Sequence, residues 1–188
     1  MFMTHLRPAI TLTVAFTLLT GLAYPFAMTG VAQGLFPATA NGSLILQDGH
    51  PVGSDLIGQA FTSPGYLHPR PSASGYNAAG TGASNLGPTS APLIAAVAER
   101  QAAYITENGT AGPIDAVTTS GSGLDPHISS ENAAAQVARI AAARAVDVAQ
   151  VRAVIEQATE GRFLAIYGAP RVNVLRVNLA LDAAFPTR

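Results

Sequence analysis

The sequence has no cysteine, so disulfides, thiolate metal sites and cysteine nucleophiles are excluded, although that absence names no compartment. All of its basic residues are arginine, so no lysine is present to complete a phosphate-binding P-loop. Charge is scarce altogether: 11% of the 188 residues, against about 25% in an average soluble domain, with a net charge of −1. Such a chain has no basic footprint with which to neutralise nucleic-acid phosphates. With 48% apolar residues it is also too hydrophobic to be a disordered chain. Gly and Pro together, 18 and 13 residues, stay well below the ~25–30% that marks low complexity.

What charge there is avoids the N-terminal quarter. After Arg7 the next formal charge is Asp48, and the intervening stretch opens with a long apolar run. Ile10, Leu12, Val14, Phe16, Leu18, Leu19, Leu22 and Phe26 are strong membrane formers. At about −0.3 to −0.6 kcal/mol each they supply roughly −2.5 to −5 kcal/mol toward insertion, with no charge opposing them. About 20 helical residues cross the ~30 Å hydrocarbon layer, so residues 10–30 are expected to span a membrane, with a disturbance at Pro25. A cleaved signal peptide is the rival, with Ala38-Thr39-Ala40 as its cleavage site. Its apolar core would run only 7–15 residues, about half of what is present.

Arg7, His5 and the amino terminus are the local positive charges, and the positive-inside rule keeps them cytoplasmic. Residues 1–9 are then cytoplasmic and residues 31–188 extracytoplasmic, in the periplasm of a cell with an inner membrane. Thr13, Thr17 and Gly21 form a small-xxx-small stripe along the helix, with Thr20 and Tyr24 beside it. Such a stripe either bonds back to its own helix or packs against transmembrane partners, where close backbone approach drives association.

The exported part reads as one compact α+β (or α/β) domain with about three helices and a few strands. Ser43–Gln47 and Val52–Ile57 read as strands around an Asp48-Gly49 turn. Residues 65–88 form a Gly/Ser/Ala/Asn/Pro-rich stretch punctuated by Tyr66, Arg70, Tyr76 and Asn85, which reads as an ordered interaction loop. Helices are expected after Thr89 or Ser90, with Pro92 in the first turn, after Ser129 and after Asp147, the last ending at Gly161. Arg171–Leu179 alternates polar and apolar residues as a half-buried strand does.

Catalytic motifs are sparse. Gly80–Asn85 is a degraded glycine loop without an acidic ribose partner, and Ser122 sits in G-S-G, not G-x-S-x-G. Ser122, Asp125 and His127 have the residue types of a triad, but they crowd into one short segment, whereas triads are assembled from separate elements. His5, His50, His68 and His127 lack metal-ligand spacing, so no metal is expected. The most distinctive stretch is Val117–Ser129, a glycine-rich run into an N-capped helix. It is either an anion-binding junction of backbone N–H groups or a rigid turn in which Asp125 folds back on backbone amides and His127 satisfies a carbonyl. Gln136 and Arg139 share a helix face just beyond it, to bind a phosphate or a partner carboxylate, or to be solvated.

GSDLIGQAF from Gly53, RPSASGYNAAGTGASNLGP from Arg70, IDAVTTSGSGLDPHIS from Ile114, QVARIAAAR from Gln136 and YGAPRVNVLRVNLALD from Tyr167 together resemble the C subunit of the Kdp high-affinity potassium-transporting P-type ATPase. With the N-terminal anchor they cover nearly the whole chain in order. Gly82-Ala83 stands where that family often has two glycines, and Ser130 where it often has proline.

The resemblance implies a non-catalytic accessory subunit beside a channel-like potassium-translocating subunit and a P-type ATPase subunit that hydrolyses ATP. It further implies a catalytic chaperone that raises the ATPase subunit's affinity for ATP. The nucleotide or partner contact it suggests falls on Ser120, Gly121, Ser122, Gly123, Gln136 and Arg139, and the family motif positions are Arg70, Ser84, Asn85, Asp125 and His127. The topology places Ser120–Arg139 across the membrane from cytosolic ATP, so a seat near the outer potassium entrance is the easier role. Its rivals are a membrane-anchored exported hydrolase and a secreted binding protein released after Ala40. They differ from it in needing a catalytic pocket or a free, soluble chain.

Overall fold

The computed structural model describes residues 2–186. Two units follow one another, Met1–Leu44 and Ile45–Arg188. The first is helical: α1 (Phe2–Leu18), a single π-helical turn (Leu19–Ala23), α2 (Tyr24–Leu35) and the short α3 (Pro37–Ala40). Met3–Leu35 forms a 33-residue apolar helix with a mean hydropathy of 1.6 over an 18-residue window, none of which is buried within the chain. At 1.5 Å per residue it is about 50 Å long, longer than both the ~30 Å hydrocarbon layer and the 10–30 stretch read from the sequence. The irregularity expected at Pro25 is the π turn just before it. Pro25 has no N–H to donate to the preceding turn, and a wider turn absorbs the mismatch. Thr20 Oγ1 bonds back to the Phe16 carbonyl at 2.7 Å. At the end of the helix Gln33 and Asn41 exchange two side-chain hydrogen bonds, which tie α3 back to α2.

The second unit is the compact α+β region. It opens with the hairpin β1 (Leu44–Gln47) and β2 (His50–Ser54), whose turn residues Asp48 and Gly49 both have positive φ, as a two-residue hairpin turn of this hand demands. After an irregular stretch come α4 (Ala91–Asn108), α5 (Ile114–Val117), β3 (His127–Ser129), α6 (Ser130–Arg144), α7 (Val148–Gln157), β4 (Thr159–Glu160), β5 (Arg171–Asn173) and α8 (Val174–Ala184). The strands β3, β5 and β4 form an antiparallel sheet with β5 in the middle, pairing Ile128 and Thr159 with Val172. The core holds Ile128, Val137, Ile140, Val151, Val172, Val177 and Leu181, drawn from the sheet and from α6, α7 and α8.

Local chemistry explains the helix starts. Ser129 accepts from the Asn132 amide, and Asp147 closes a reciprocal capping box with Gln150. Two expectations fail at the C-terminal end. The third helix stops at Gln157, and β4 intervenes before Gly161. Arg171–Leu179 is a strand for three residues only. Asn173 then accepts from the Arg176 amide and caps α8. The buried Val174, Val177, Asn178 and Leu181 recur at helical spacing, so the alternation read as a strand is one face of a helix.

Residues 55–90 have no helix or strand, yet their backbone is pinned. The Asn178 amide accepts from Leu67 N at 2.7 Å and donates to Leu67 O at 3.0 Å. The Gln136 amide does the same for the next residue, at 2.8 and 3.2 Å from the N and O of His68. Arg139 donates to the Pro64 and Tyr66 carbonyls, and Arg144 to that of Gly65. Buried amides on α6 and α8 thus act as the missing partner strand for this strap, and satisfy backbone groups that would otherwise be costly to bury.

Candidate functional site

The strap and the glycine-rich segment meet at one end of the sheet. Carbonyls of the glycine-rich segment serve as acceptors for residues 58–82. Ser122 O receives Gly82 N and Thr81 Oγ1, each at 2.8 Å, Gly123 O receives Ser72 Oγ at 2.6 Å, and Leu124 O receives Gly58 N at 2.7 Å. Gly123 sits at φ +72°, and a Cβ there would fall 2.5 Å from Ser74 Oγ and 2.7 Å from Gly82 O. Both conformation and space therefore demand glycine. Ser120 is buried, and its Oγ has no hydrogen-bond partner among the described residues.

Beyond this lock the chain turns at Asp125-Pro126. Asp125 Oδ1 accepts from His127 N at 3.0 Å, the fold-back expected of an Asp before a turn. Its Oδ2 accepts from Arg70 Nη1 at 3.1 Å, which fixes the end of the strap. The carbonyl of Arg70 receives Tyr76 Oη at 2.6 Å. Here lies a cleft of about 580 Å³, lined among others by Arg70, Asp115, Asp125, His127, Glu160, Phe163, Tyr167 and Arg171.

The electrostatics of this cleft are close to balanced. Arg171 Nε donates to Glu160 at 2.8 Å, and Arg176 pairs with Asp55 in a fork and lies 3.7 Å from Glu160. Asp115 is spent on Ser129 N, Ser129 Oγ and the Asn132 amide. Two arginines therefore face three carboxylates in the lining, so the cleft is no trap for a phosphate. His127 lies 3.7 Å from Asp125 and 4.0 Å from Glu160, next to carboxylates instead of the carbonyl expected. Burial, helped by the nearby positive charge of Arg171, holds its pKa below the ordinary value of 6.5 and favours the neutral ring.

The structure brings Arg70, Asp125 and His127 together and adds Glu160 and Arg171, which the sequence reading passed over. Their signal is long-range: the β4–β5 pairing sets Glu160 opposite Arg171. The other predicted positions lie elsewhere. Gly121 and Ser122 are exposed, and Ser122 Oγ accepts from Leu124 N. Ser84 and Asn85 are exposed on the 80–88 stretch, and Asn85 donates to the Ala83 carbonyl. Thr13, Thr17 and Gly21 belong to the N-terminal unit, and all three are exposed.

Gln136 and Arg139 face inward, contrary to the solvated reading. Gln136 is 1% exposed. Beyond the strap it bonds Asn132 and Arg139, and Arg139 also bonds Asn108. Gln136 borders a separate cavity of about 200 Å³ with His68, Tyr104 and Glu107. There His68 Nδ1 lies 3.0 Å from Glu107, and burial lowers the His68 pKa. Burial pushes the Tyr104 hydroxyl up to about 12, and it donates to Asn132 Oδ1 at 2.9 Å.

The sequence model of the KdpC family, described as "K+-transporting ATPase, c chain", matches residues 6–183. The chain belongs to the KdpC family. A potassium-transporting ATPase KdpC subunit of Cereibacter sphaeroides is 64% identical over 182 residues, which is 97% of this chain and 98% of the relative. The KdpC subunits of Rhodospirillum rubrum and Gemmatimonas aurantiaca are 55% and 54% identical, each covering 96% of the relative and 96% and 98% of this chain. The similarity takes in the KdpC apolar helix and the compact unit alike.

Proposed function

We propose that this chain is a non-catalytic accessory subunit of an ATP-driven potassium uptake complex. Residues 10–30 span the inner membrane once, residues 1–9 stay cytoplasmic and residues 31–188 form a periplasmic cap. Its partners are the channel-like potassium-translocating subunit and the P-type ATPase subunit, potassium is the transported ion, and ATP is hydrolysed by the ATPase subunit. The subunit assembles and stabilises the complex and, as the catalytic chaperone of its family, raises the ATPase subunit's affinity for ATP through contact with its partners.

The observation that carries this reading is where the polar side chains are spent. Gln136 and Arg139, the side chains a nucleotide would need, hold the strap, and Ser122 O and Gly123 O hold residues 72–82. The main cleft carries more acid than base. That suits a shaped surface better than a phosphate site.

Coexpression with the other transporter subunits and purification in mild detergent tests it. The chain is expected to copurify with them at fixed ratio, and potassium-dependent ATP hydrolysis should fall at least tenfold when it is omitted. A chain that purifies alone, or that turns over a substrate by itself, overturns the proposal.

A further inference from the structure

The uncharged stretch of the chain outlasts the apolar helix, which ends at Leu35, and runs on to Asp48. Its last part still shows large apolar side chains to solvent. Leu35 and Phe36, at the end of α2, are 68% and 63% exposed, and Leu44 and Leu46 on β1 are 56% and 61% exposed. Alternation along the strand puts Leu44 and Leu46 on one face and the half-buried Ile45 on the other.

The link between helix and strand folds back on the helix end. Gln33 and Asn41 exchange their amide bonds at 3.3 and 3.1 Å, and Asn41 Nδ2 also donates to Pro37 O at 2.7 Å. Ser43 N donates to Ala38 O at 2.9 Å. By Asn41 the chain is therefore beside Gln33 again, and Leu44 follows three residues later, within about 10 Å. Gln33 stands three residues past the proposed 10–30 span, about 4.5 Å along the helix. The headgroup layer is roughly 5–7 Å deep on each side of the hydrocarbon, so Gln33 and Asn41 lie at headgroup depth. We infer that Leu35, Phe36, Leu44 and Leu46 form a collar seated in the phospholipid surface around the anchor, with the leucine face of β1 turned into the headgroup–acyl boundary. The collar presupposes the 10–30 span and adds a second membrane contact to it.

Position and charge select the occupant. Lipid surrounds an anchor wherever no protein displaces it, so a surface at this depth meets phospholipid without any further partner. Interfacial segments bury their apolar side about 5–10 Å into that boundary, and residues 31–47 carry no formal charge to desolvate there. They also hold no basic residue that would select anionic lipid, so a zwitterionic one suffices. A protein partner, whether a second copy or another subunit, is recognised through a polar rim as well as an apolar centre. Here the amides of Gln33 and Asn41 are spent on each other and on Pro37 O.

The chain has no tryptophan, so Leu46→Trp gives the full chain a single indole emitter. It is reconstituted in phosphatidylcholine vesicles whose acyl chains are brominated either near the headgroup or near the chain end. At least twofold quenching by the shallow bromines, and less by the deep ones, is expected. Leu19→Trp, next to the middle of the span, is expected to show the reverse. Quenching at Leu19 without quenching at Leu46 overturns the collar and leaves the span standing. Absence of quenching at Leu19 overturns the span and the collar with it. For the assembled transporter, a benzophenone amino acid replaces Leu44 in the chain coexpressed with the other subunits, and membranes are irradiated. A lipid adduct is expected; an adduct with another subunit, an adduct with a second copy, or no adduct overturns the collar.

Discussion

Two segments without helix, the 63–70 part of the strap and the hairpin at 161–170, treat their residues in opposite ways. In the strap the backbone is deeply engaged. Leu67 is wholly buried, and Asn178, Gln136, Arg139 and Arg144 reach across to hold the amides and carbonyls of Leu67 and its neighbours. The hairpin bonds only to itself at its tip and turns Phe163, Leu164, Ile166 and Tyr167 to solvent. Polar side chains are thus buried to make structure, while large apolar ones stand in solvent. Polarity alone would assign both the wrong way round, because burial of an amide is favourable once each of its atoms has a partner.

Substitutions should separate the two segments. Asn178→Leu leaves both backbone groups of Leu67 unsatisfied. At about 1–3 kcal/mol per buried orphan group, the full chain in detergent should lose roughly 2–4 kcal/mol in denaturant unfolding. Phe163→Ser should move that same stability by no more than about 0.5 kcal/mol, as exposed positions do. Equal losses at the two sites would abolish the contrast.

Gly123→Ala probes the lock between strap and glycine-rich segment. The new Cβ meets Ser74 Oγ and Gly82 O at a positive φ, so a loss of about 1–3 kcal/mol is expected. Retention of wild-type stability would mean that the segments separate without cost.

Acid should weaken the strap side and leave the tip alone. Burial holds His68 and His127 below the 6.5 of an unfolded histidine, so in that window the unfolded chain binds more protons. The stability they contribute is present above pH 6.5 and is lost as pH falls through that value toward their folded pKa values. Melting temperature should therefore decline below pH 6.5, and His68→Gln should flatten the decline. The smallest effect is expected from Arg162→Glu: unchanged stability in denaturant unfolding, since an exposed charge contributes little.

Much of this was legible in the sequence, for physical reasons. The apolar helix follows from an uncharged run, the first hairpin from Asp48-Gly49, and two helix starts from the side-chain caps Ser129 and Asp147. The C-terminal helix was hidden because V-N-V-L-R-V-N-L fits alternation as well as helical spacing over so short a window. The difference is made by Asn173, whose capping bond needs the folded backbone. Gln136 was misread as a surface residue, although its neighbours Ala133, Val137 and Ile140 already mark the buried stripe. Glu160 and Arg171 could not be found locally, since only strand pairing brings them to Asp125 and His127.

The proposed membrane-held cap works from outside the cytoplasm by contact. Because the chain has no cysteine, Ser122→Cys introduces a single thiol at an exposed position of the glycine-rich segment. In whole cells bearing the assembled transporter, with the outer membrane made permeable to small reagents, a membrane-impermeant maleimide is expected to label it without lysis. Labelling that appears only after the inner membrane is broken would contradict the claim and return Ser120–Arg139 to the side where ATP is found.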